Sequence, residues 1–442
     1  MKKRILIVSS EPWRDEISGG NVLTNLFSGF VDEYEFAQVY TNSQLPSNLV
    51  CKSYFHLSEG AMFGSLKRRS PFGKALYFEN YPKNNPVCRA SEDITKSGFF
   101  SFARKLRWDI MQTIRYTFWR YSNWKTPELA KYLLDFNPDV IFAPLCYDLH
   151  VLRLHRYIAQ LTGKKLISYV YDDHLSLKQF SLSPVYWLNR FILHFTVIRT
   201  AKSYCLLYSM TQEQINEYEP ILNVRMKLLK KVGDFSRDEP KMEKLNDPLK
   251  IIYGGNLFYN RDRMLQKVFN AIRKININEV KIQLFVYTQA TLTAKLRNML
   301  HDGRSSFLMG KVSSEELTKI YSESDLALHV ESLGLKQRLI TRLSFSTKII
   351  DLMAAGRCLV AICWEKSSPF RYLKAEDAAI CISNPVDIQI RLQQLVDNPG
   401  LVREYGLKSW KYGKENHDIQ IITKDLKYDF ATFVSTAKMI TP

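Results

Sequence analysis

The chain contains no CxxC pair, no GxGxxG run and no apolar stretch long enough to cross a bilayer, and each absence removes a class of protein. Its seven cysteines, at 51, 88, 146, 205, 358, 363 and 381, are scattered and odd in number, which argues against a disulfide framework and a zinc site and for reduced thiols in cytosol. The most apolar run, Tyr186 to Ile198, is broken by Asn189, Arg190 and His194 and falls short of the ~20 residues of a spanning helix. The basic start, Met1-Lys2-Lys3-Arg4, leads into an apolar run that ends at Ser9, too early for a signal-peptide core of ~7–15 residues. It reads as a buried strand, and any membrane contact is expected to be peripheral.

Acids are in short supply. Lysine and arginine number 62 against 44 aspartates and glutamates, a formal charge of +18 that attracts phosphates in nucleic acid, lipid head groups or small substrates. No RNA- or DNA-reading motif accompanies the charge, so nucleic acid is not an expected partner. At 442 residues, with 46% hydrophobic and 24% charged, the chain has material for two cores at ~100–200 residues per domain.

Short β-rich runs alternate with amphipathic segments: Ile5–Val8, Val140–Ala143, Leu166–Tyr171 and Tyr204–Tyr208, then Leu249–Gly255, Ile282–Tyr287, Leu326–Val330 and Cys358–Cys363. That alternation predicts parallel α/β sheets. A polar stretch, Gly233 to Pro248, separates the two series and reads as a linker. The expected domains are residues 1–235 and 246–419, with a helical segment, 420–442, packing back on the first. Ser313 and Glu316 have capping-box spacing, which predicts a helix from Ser314.

Four constellations can carry chemistry. Ser18-Gly19-Gly20-Asn21 follows the first strand and precedes a helix, where glycines admit a ligand to the backbone and unpaired N–H groups meet an anion; a turn needed only for packing has the same pattern. Ser346-Thr347-Lys348 opens a helix that Gly356 closes, with Ser346 as the expected N-cap. Lys348 places a cation where the helix dipole favours an anion such as a pyrophosphate, and Asp351 can accept from ribose hydroxyls; an ordinary capped helix with a surface ion pair also fits. Tyr253-Gly254-Gly255 runs from a strand into a glycine turn that leads to Arg261. Tyr171-Asp172-Asp173-His174 ends a predicted central strand, the edge where open α/β sheets bind ligands. Consecutive strand residues point to opposite faces, which disfavours a metal held by both aspartates. Asp173 or His174 can orient or deprotonate an acceptor hydroxyl, or simply cap and turn the chain.

The run Ser346-Thr347-Lys348 through Asp351 to Ala354-Ala355-Gly356, preceded by Gly310-Lys311-Val312-Ser313 and Ser324-Asp325-Leu326, resembles the donor-binding half of glycosyltransferase family 4. The resemblance covers most of Leu249 to Tyr412. It implies a GT-B fold, two Rossmann-like domains facing a cleft, and transfer of a sugar from a nucleoside diphosphate donor with retention and without a metal. The donor is a substrate, and no resident cofactor is implied. Glu331 falls at the family's first acid, which contacts the donor sugar, and Asp351 at its second, which binds ribose. Gly310 and Val312 form the glycine-valine turn. Two departures stand out: the acids are 20 positions apart rather than eight, and the second is aspartate rather than glutamate; in addition, the family's first pyrophosphate cation is replaced by Asn256, leaving Arg261 in the second place. Gly19 and Gly20 are expected to approach the phosphates as the domains close.

Between 104 and 125, six cations (Arg104, Lys105, Arg107, Arg115, Arg120, Lys125) face the single acid Asp109 and interleave with aromatics. Trp108, Met111, Ile114, Phe118 and Tyr121 recur at helical spacing, the pattern of an interfacial helix or of a core-facing helix with a basic outer side. The expected partners are therefore a nucleotide-sugar donor, a lipid-linked glycan acceptor and an anionic membrane, at the cytoplasmic face of the plasma membrane. A sugar-nucleotide epimerase on the same architecture and a basic nucleic-acid-binding protein are the alternatives.

Overall fold

A computed structural model describes residues 2–14, 18–48, 50–68, 71–77, 98–236, 238–240 and 244–439. They form two compact units, Met1–Leu229 with Ile422–Pro442, and Lys230–Ile421.

In the first unit the strands are β1 (Lys3–Ser9), β2 (Tyr34–Tyr40), β3 (Ser53–His56), β4 (Lys74–Tyr77), β5 (Val140–Phe142), β6 (Leu166–Val170), β7 (Tyr204–Ser209) and β8 (Met226–Leu228). They pair in the order β4-β3-β2-β1-β5-β6-β7-β8. All neighbours are parallel except β3 and β4. Ile5, Leu6, Ile7 and Val8 are all fully buried, as a strand covered by helices on both faces requires. The last helix, Ile419–Met439, seats Phe430 against Phe27, Phe30 and Phe142. Asp429 accepts from Tyr208 Oη at 2.6 Å and from Lys227 Nζ at 2.8 Å, which fixes the helix to β7 and β8.

The second unit holds β9 (Leu249–Gly254), β10 (Ile282–Tyr287), β11 (Ser306–Gly310), β12 (Leu326–Val330), β13 (Cys358–Ile362) and β14 (Ile380–Ile382), ordered β11-β10-β9-β12-β13-β14. Every pair is parallel. The predicted capping box is present: Ser313 Oγ accepts from Glu316 N at 3.1 Å, and Glu316 accepts from Ser313 N at 2.8 Å. The expected linker is shorter than its polar composition suggests. Val232 and Phe235 are buried, and Phe235 packs within this unit against Trp410 and beside Gly413.

The glycine pair Gly19-Gly20 lies inside the Ser18–Phe27 helix rather than in a loop ahead of it. Ser346 does not cap the next helix of interest, which spans Lys348–Ala354 with Thr347 in the N-cap place and no side-chain cap. The chain turns instead through a backbone bond from Ile349 N to Ser346 O, 3.0 Å. Gly356 ends that helix at φ +65°, where an added Cβ would sit 2.5 Å from Pro240 Cγ. Left-handed backbone costs an L-residue ~1–2 kcal/mol. Gly356→Ala is therefore expected to destabilise the protein by at least about 1–2 kcal/mol in urea unfolding; an unchanged midpoint would show that the turn does not constrain the helix.

Candidate functional site

In the second unit the carboxyl ends of β9, β12 and β13 bring together residues from three distant stretches. β9 runs into Gly254 and Gly255, and Lys348 donates from Nζ to Gly254 O at 3.3 Å. A Cβ on Gly255 would lie 2.4 Å from that same Nζ, and one on Gly254 would lie 2.7 Å from Tyr321 Oη. The glycines thus allow an ammonium group to rest on the main chain. Arg261 opens the Arg261–Ile275 helix and donates to Asn256 Oδ1 at 2.8 Å, while Tyr253 Oη donates to Asn256 O at 2.6 Å. Tyr259 and Asn260 both take positive φ, 58° and 62°, turning the chain sharply before that helix.

Burial, and then the neighbouring Arg261 guanidinium, lower the Lys348 pKa to about 8, with Asp351 opposing. The two cations each open a helix whose cap residue makes no side-chain bond, and they lie close enough to influence each other. Such a place suits an anion.

Asp351 is held by a residue that sequence reasoning missed. Lys231, nearly buried, donates to Asp351 Oδ1 at 2.6 Å and to Thr347 O at 3.1 Å. Its own carbonyl bonds His417 Nδ1 at 2.6 Å, and the other ring nitrogen meets Tyr372 Oη at 2.6 Å. Burial, the largest cause, lowers His417 to about 4, so this link is made by a neutral ring. Among the described residues Asp351 Oδ2 has no partner and the hydroxyls of Ser346 and Thr347 make no hydrogen bond, which leaves them for a ligand.

Glu331 is 5% exposed, its N–H bonded to Ile362 O at 2.8 Å, and its carboxylate lies 3.6 Å from His329 Nε2. Residues i and i+2 of a strand share a face, hence the pairing. Glu331 and Arg261 both reach Tyr253: burial chiefly raises that phenol to about 12, with Glu331 adding and Arg261 opposing. Gly310 closes β11 at φ +90°, and its carbonyl accepts from Thr288 N at 2.8 Å; Val312 follows, half-buried.

The first unit carries a separate cluster. Asp173 is 1% exposed and accepts from Ser176 N, Ser176 Oγ, Gln179 Nε2, Arg190 Nη2 and Tyr218 Oη at 2.5–3.2 Å. Five donors saturate a carboxylate with about four lone-pair sites. This corrects its reading as an acid–base group: Asp173 holds the loop of residues 173–179 to the Pro184–Ala201 helix. His174 is buried, bonds Asp172 O through Nδ1 at 2.8 Å and packs on the Tyr147 ring at 4.2 Å. Burial, ahead of its neighbouring charges, lowers its pKa.

Sequence reasoning also missed Glu11, Glu59 and Asp148. Arg115 donates to Glu59 Oε1 at 2.5 Å and to Asp148 Oδ1 at 2.6 Å. Burial and then Asp148 raise the pKa of Glu11. Glu11 follows β1 and Asp148 follows β5, the two strands flanking the point where strand order reverses, so they mark the ligand-binding edge of this sheet. Among the described residues no group of three or more His, Cys, Asp or Glu could hold a metal ion.

Two Rossmann-like parallel α/β units of this kind define the GT-B fold. Solved structures of that fold align over nearly the whole chain. Sucrose-phosphate synthase from Thermosynechococcus elongatus matches with a TM-score of 0.61 at 10% identity, covering 99% of this chain and 100% of that one. HepE of Anabaena, in complex with UDP and glucose, matches with a TM-score of 0.59 at 11% identity, covering 97% and 100%. The α,α-trehalose 6-phosphate synthase of Burkholderia multivorans matches with a TM-score of 0.57 at 12% identity, covering 100% and 99%. No family model matches the chain, and no curated protein does.

The depressed Lys348 pKa sets a pH signature for anion binding. Below pH 8 the ammonium is already charged in the free protein; above it a bound diphosphate must draw a proton, and affinity declines. The dissociation constant of a nucleoside diphosphate is expected to stay flat between pH 7 and 7.5 and then weaken, approaching ten-fold per pH unit as pH rises to about 9.5. Lys348→Arg keeps its charge across that range. Calorimetric titration in which the wild type and Lys348→Arg show the same pH profile would remove Lys348 from the anion site.

Proposed function

We propose that the protein is a glycosyltransferase that moves a sugar from a nucleoside diphosphate donor to a glycan or lipid-linked acceptor, retaining and metal-independent. The observation that carries this reading is the pair of cations, Lys348 on the Gly254-Gly255 backbone and Arg261 at a helix N-terminus, with little carboxylate to neutralise them. Negative charge grows on the leaving diphosphate as the glycosidic bond breaks, so fixed cations there favour the transition state over the ground state. In this reading Asp351 holds ribose, its position set by Lys231. Ser346 and Thr347 add donors to the phosphates, and Gly310 and Val312 shape the adjoining turn. Glu331 bonds hydroxyls of the transferred sugar. The solved neighbours include a complex with UDP and glucose, which supports a nucleotide sugar as donor.

The acceptor belongs to the first unit, near Glu11, Asp148 and His174. A lipid-linked acceptor is favoured by the surface beside them. The Gly98–Tyr121 helix is a single element, as its spacing predicts, and its Ile110, Met111, Ile114 and Phe118 are exposed. The side chains of Arg104, Lys105, Arg107 and Trp108 lie outside the described residues. The Pro184–Ala201 helix packs on it through Asn189, which donates to Asp109 O at 3.0 Å, and exposes Leu188, Phe191, Ile192 and Phe195. From Leu175 to Gln212 the chain has no acid. Apolar side chains rimmed by cations suit an anionic bilayer surface, reached from the cytoplasmic side. No helix of the described residues is long and apolar enough to cross one.

Two measurements test the reading. A nucleotide at ~100 times its dissociation constant stabilises the folded state by about 2.7 kcal/mol. One of UDP, GDP, ADP or CMP is expected to raise the melting temperature of the wild type but not of Lys348→Ala; no shift from any of them would sink the donor site. In sedimentation, the wild type is expected to bind vesicles rich in phosphatidylglycerol, and Phe191→Ser/Phe195→Ser to lose most of that binding while keeping its nucleotide shift. Equal binding by both proteins would exclude this face as the membrane contact.

A further inference from the structure

The two acids read as donor ligands, Glu331 and Asp351, are separated by residues 332–350, which contain Lys336, Arg338, Arg342 and Lys348 and no acid. Lys348 sits in the diphosphate cradle. Lys336 and Arg338 lie in the segment that lengthens the spacing, and a diphosphate already served by Lys348 and Arg261 does not account for Arg338.

That segment is ordered by its own bonds. Residues Leu335–Thr341 form a helix, with Arg338 N bonded to Gly334 O at 2.9 Å. Ser368 N donates to Arg342 O at 3.2 Å, tying its far end to the start of the Ser368–Ala375 helix. Arg338 lies over the ring of Trp364, its Cζ 5.9 Å from the centroid. Trp364 stands two residues beyond β13, and β13 is the direct neighbour of β12, whose last residue, Val330, pairs with Ile362 and is followed directly by Glu331. The guanidinium and Glu331 therefore occupy the same carboxyl edge of adjacent strands.

Arg338 is left without an anion there. Its Nε is buried with no hydrogen-bond partner, and among the described residues no carboxylate pairs with it. A guanidinium braced on an aromatic face presents a planar fork of donors that matches a carboxylate in two-point contact. Neutral hydroxyls satisfy such a fork less well, because each accepts at a single oxygen without charge.

We propose that Arg338 reads a carboxylate on the transferred sugar, so that the preferred donor is a nucleoside diphosphate-linked uronic acid. The inference rests on the donor reading above. In it, Glu331 accepts from the hydroxyls of the sugar while Arg338 and the Trp364 wall take the acid group.

The test is calorimetric titration of wild type, Arg338→Met and Arg338→Lys with UDP, UDP-glucose and UDP-glucuronate, and with GDP, GDP-mannose and GDP-mannuronate. The expected result is that the wild type binds the uronate at least about ten-fold more tightly than the neutral sugar of the same nucleotide. Arg338→Met is expected to abolish that preference while its affinity for the free nucleoside diphosphate stays unchanged, and Arg338→Lys to retain part of it. Normal nucleotide binding without a wild-type preference for the uronate, or a preference that survives in Arg338→Met, overturns the proposal and leaves the donor site standing. Failure of UDP and GDP to bind overturns this proposal for both nucleotides, and failure of ADP and CMP as well overturns the donor reading with it.

Discussion

The arrangement of the second unit depends on an ammonium group resting on main chain. Lys348 occupies the space that a side chain at 255 would need, and Arg261 stands close enough to lower its pKa. Like charges held together in a partly buried place lose solvation and repel one another. The fold bears that cost because Lys348 and Asp351 sit on one short helix, braced at its end by Gly356 and along its side by Lys231. In the proposed reading, a bound diphosphate reverses the sign of the interaction: the groups that repel each other in the free protein attract a common partner. This preorganisation places the charge of the site ahead of the ligand instead of recruiting it on arrival.

Much of this was legible in the sequence. The β-rich runs named both sheets, since a strand buried on two faces must be apolar throughout and the helices between must be amphipathic. The capping box at Ser313 and the closing glycine at 356 are local signals, and local signals survive folding unchanged. Helix starts proved less readable: Ser346 has the right side chain for a cap, yet the chain enters the helix through a backbone turn and leaves its hydroxyl unused. Lys231 could not be anticipated, because its partner Asp351 is 120 residues away and nothing in the sequence beside it distinguishes it from its neighbour Lys230.

Asp173 misled in another way. It is a residue type that general acid–base chemistry uses, at the end of a central strand. What decided the matter was donors from Ser176, Gln179, Arg190 and Tyr218, which no local pattern reveals. The carboxylates that do flank the switch point, Glu11 and Asp148, are isolated in sequence and meet only because β5 inserts beside β1. Topology, more than motif, assembles that edge.

The closing helix carries a consequence for how the chain reaches its final form. The second unit is continuous in sequence, from Lys230 to Ile421, while the first is interrupted by it and takes in residues from 422 onward. Phe430 fills the middle of an aromatic group with Phe27, Phe30 and Phe142, and Asp429 neutralises Lys227 beside β8. During synthesis the earliest strands leave the ribosome with that hole in their core unfilled. They must wait while the entire second unit is made and can fold within itself, so the half of the molecule that is translated first is the half that is finished last.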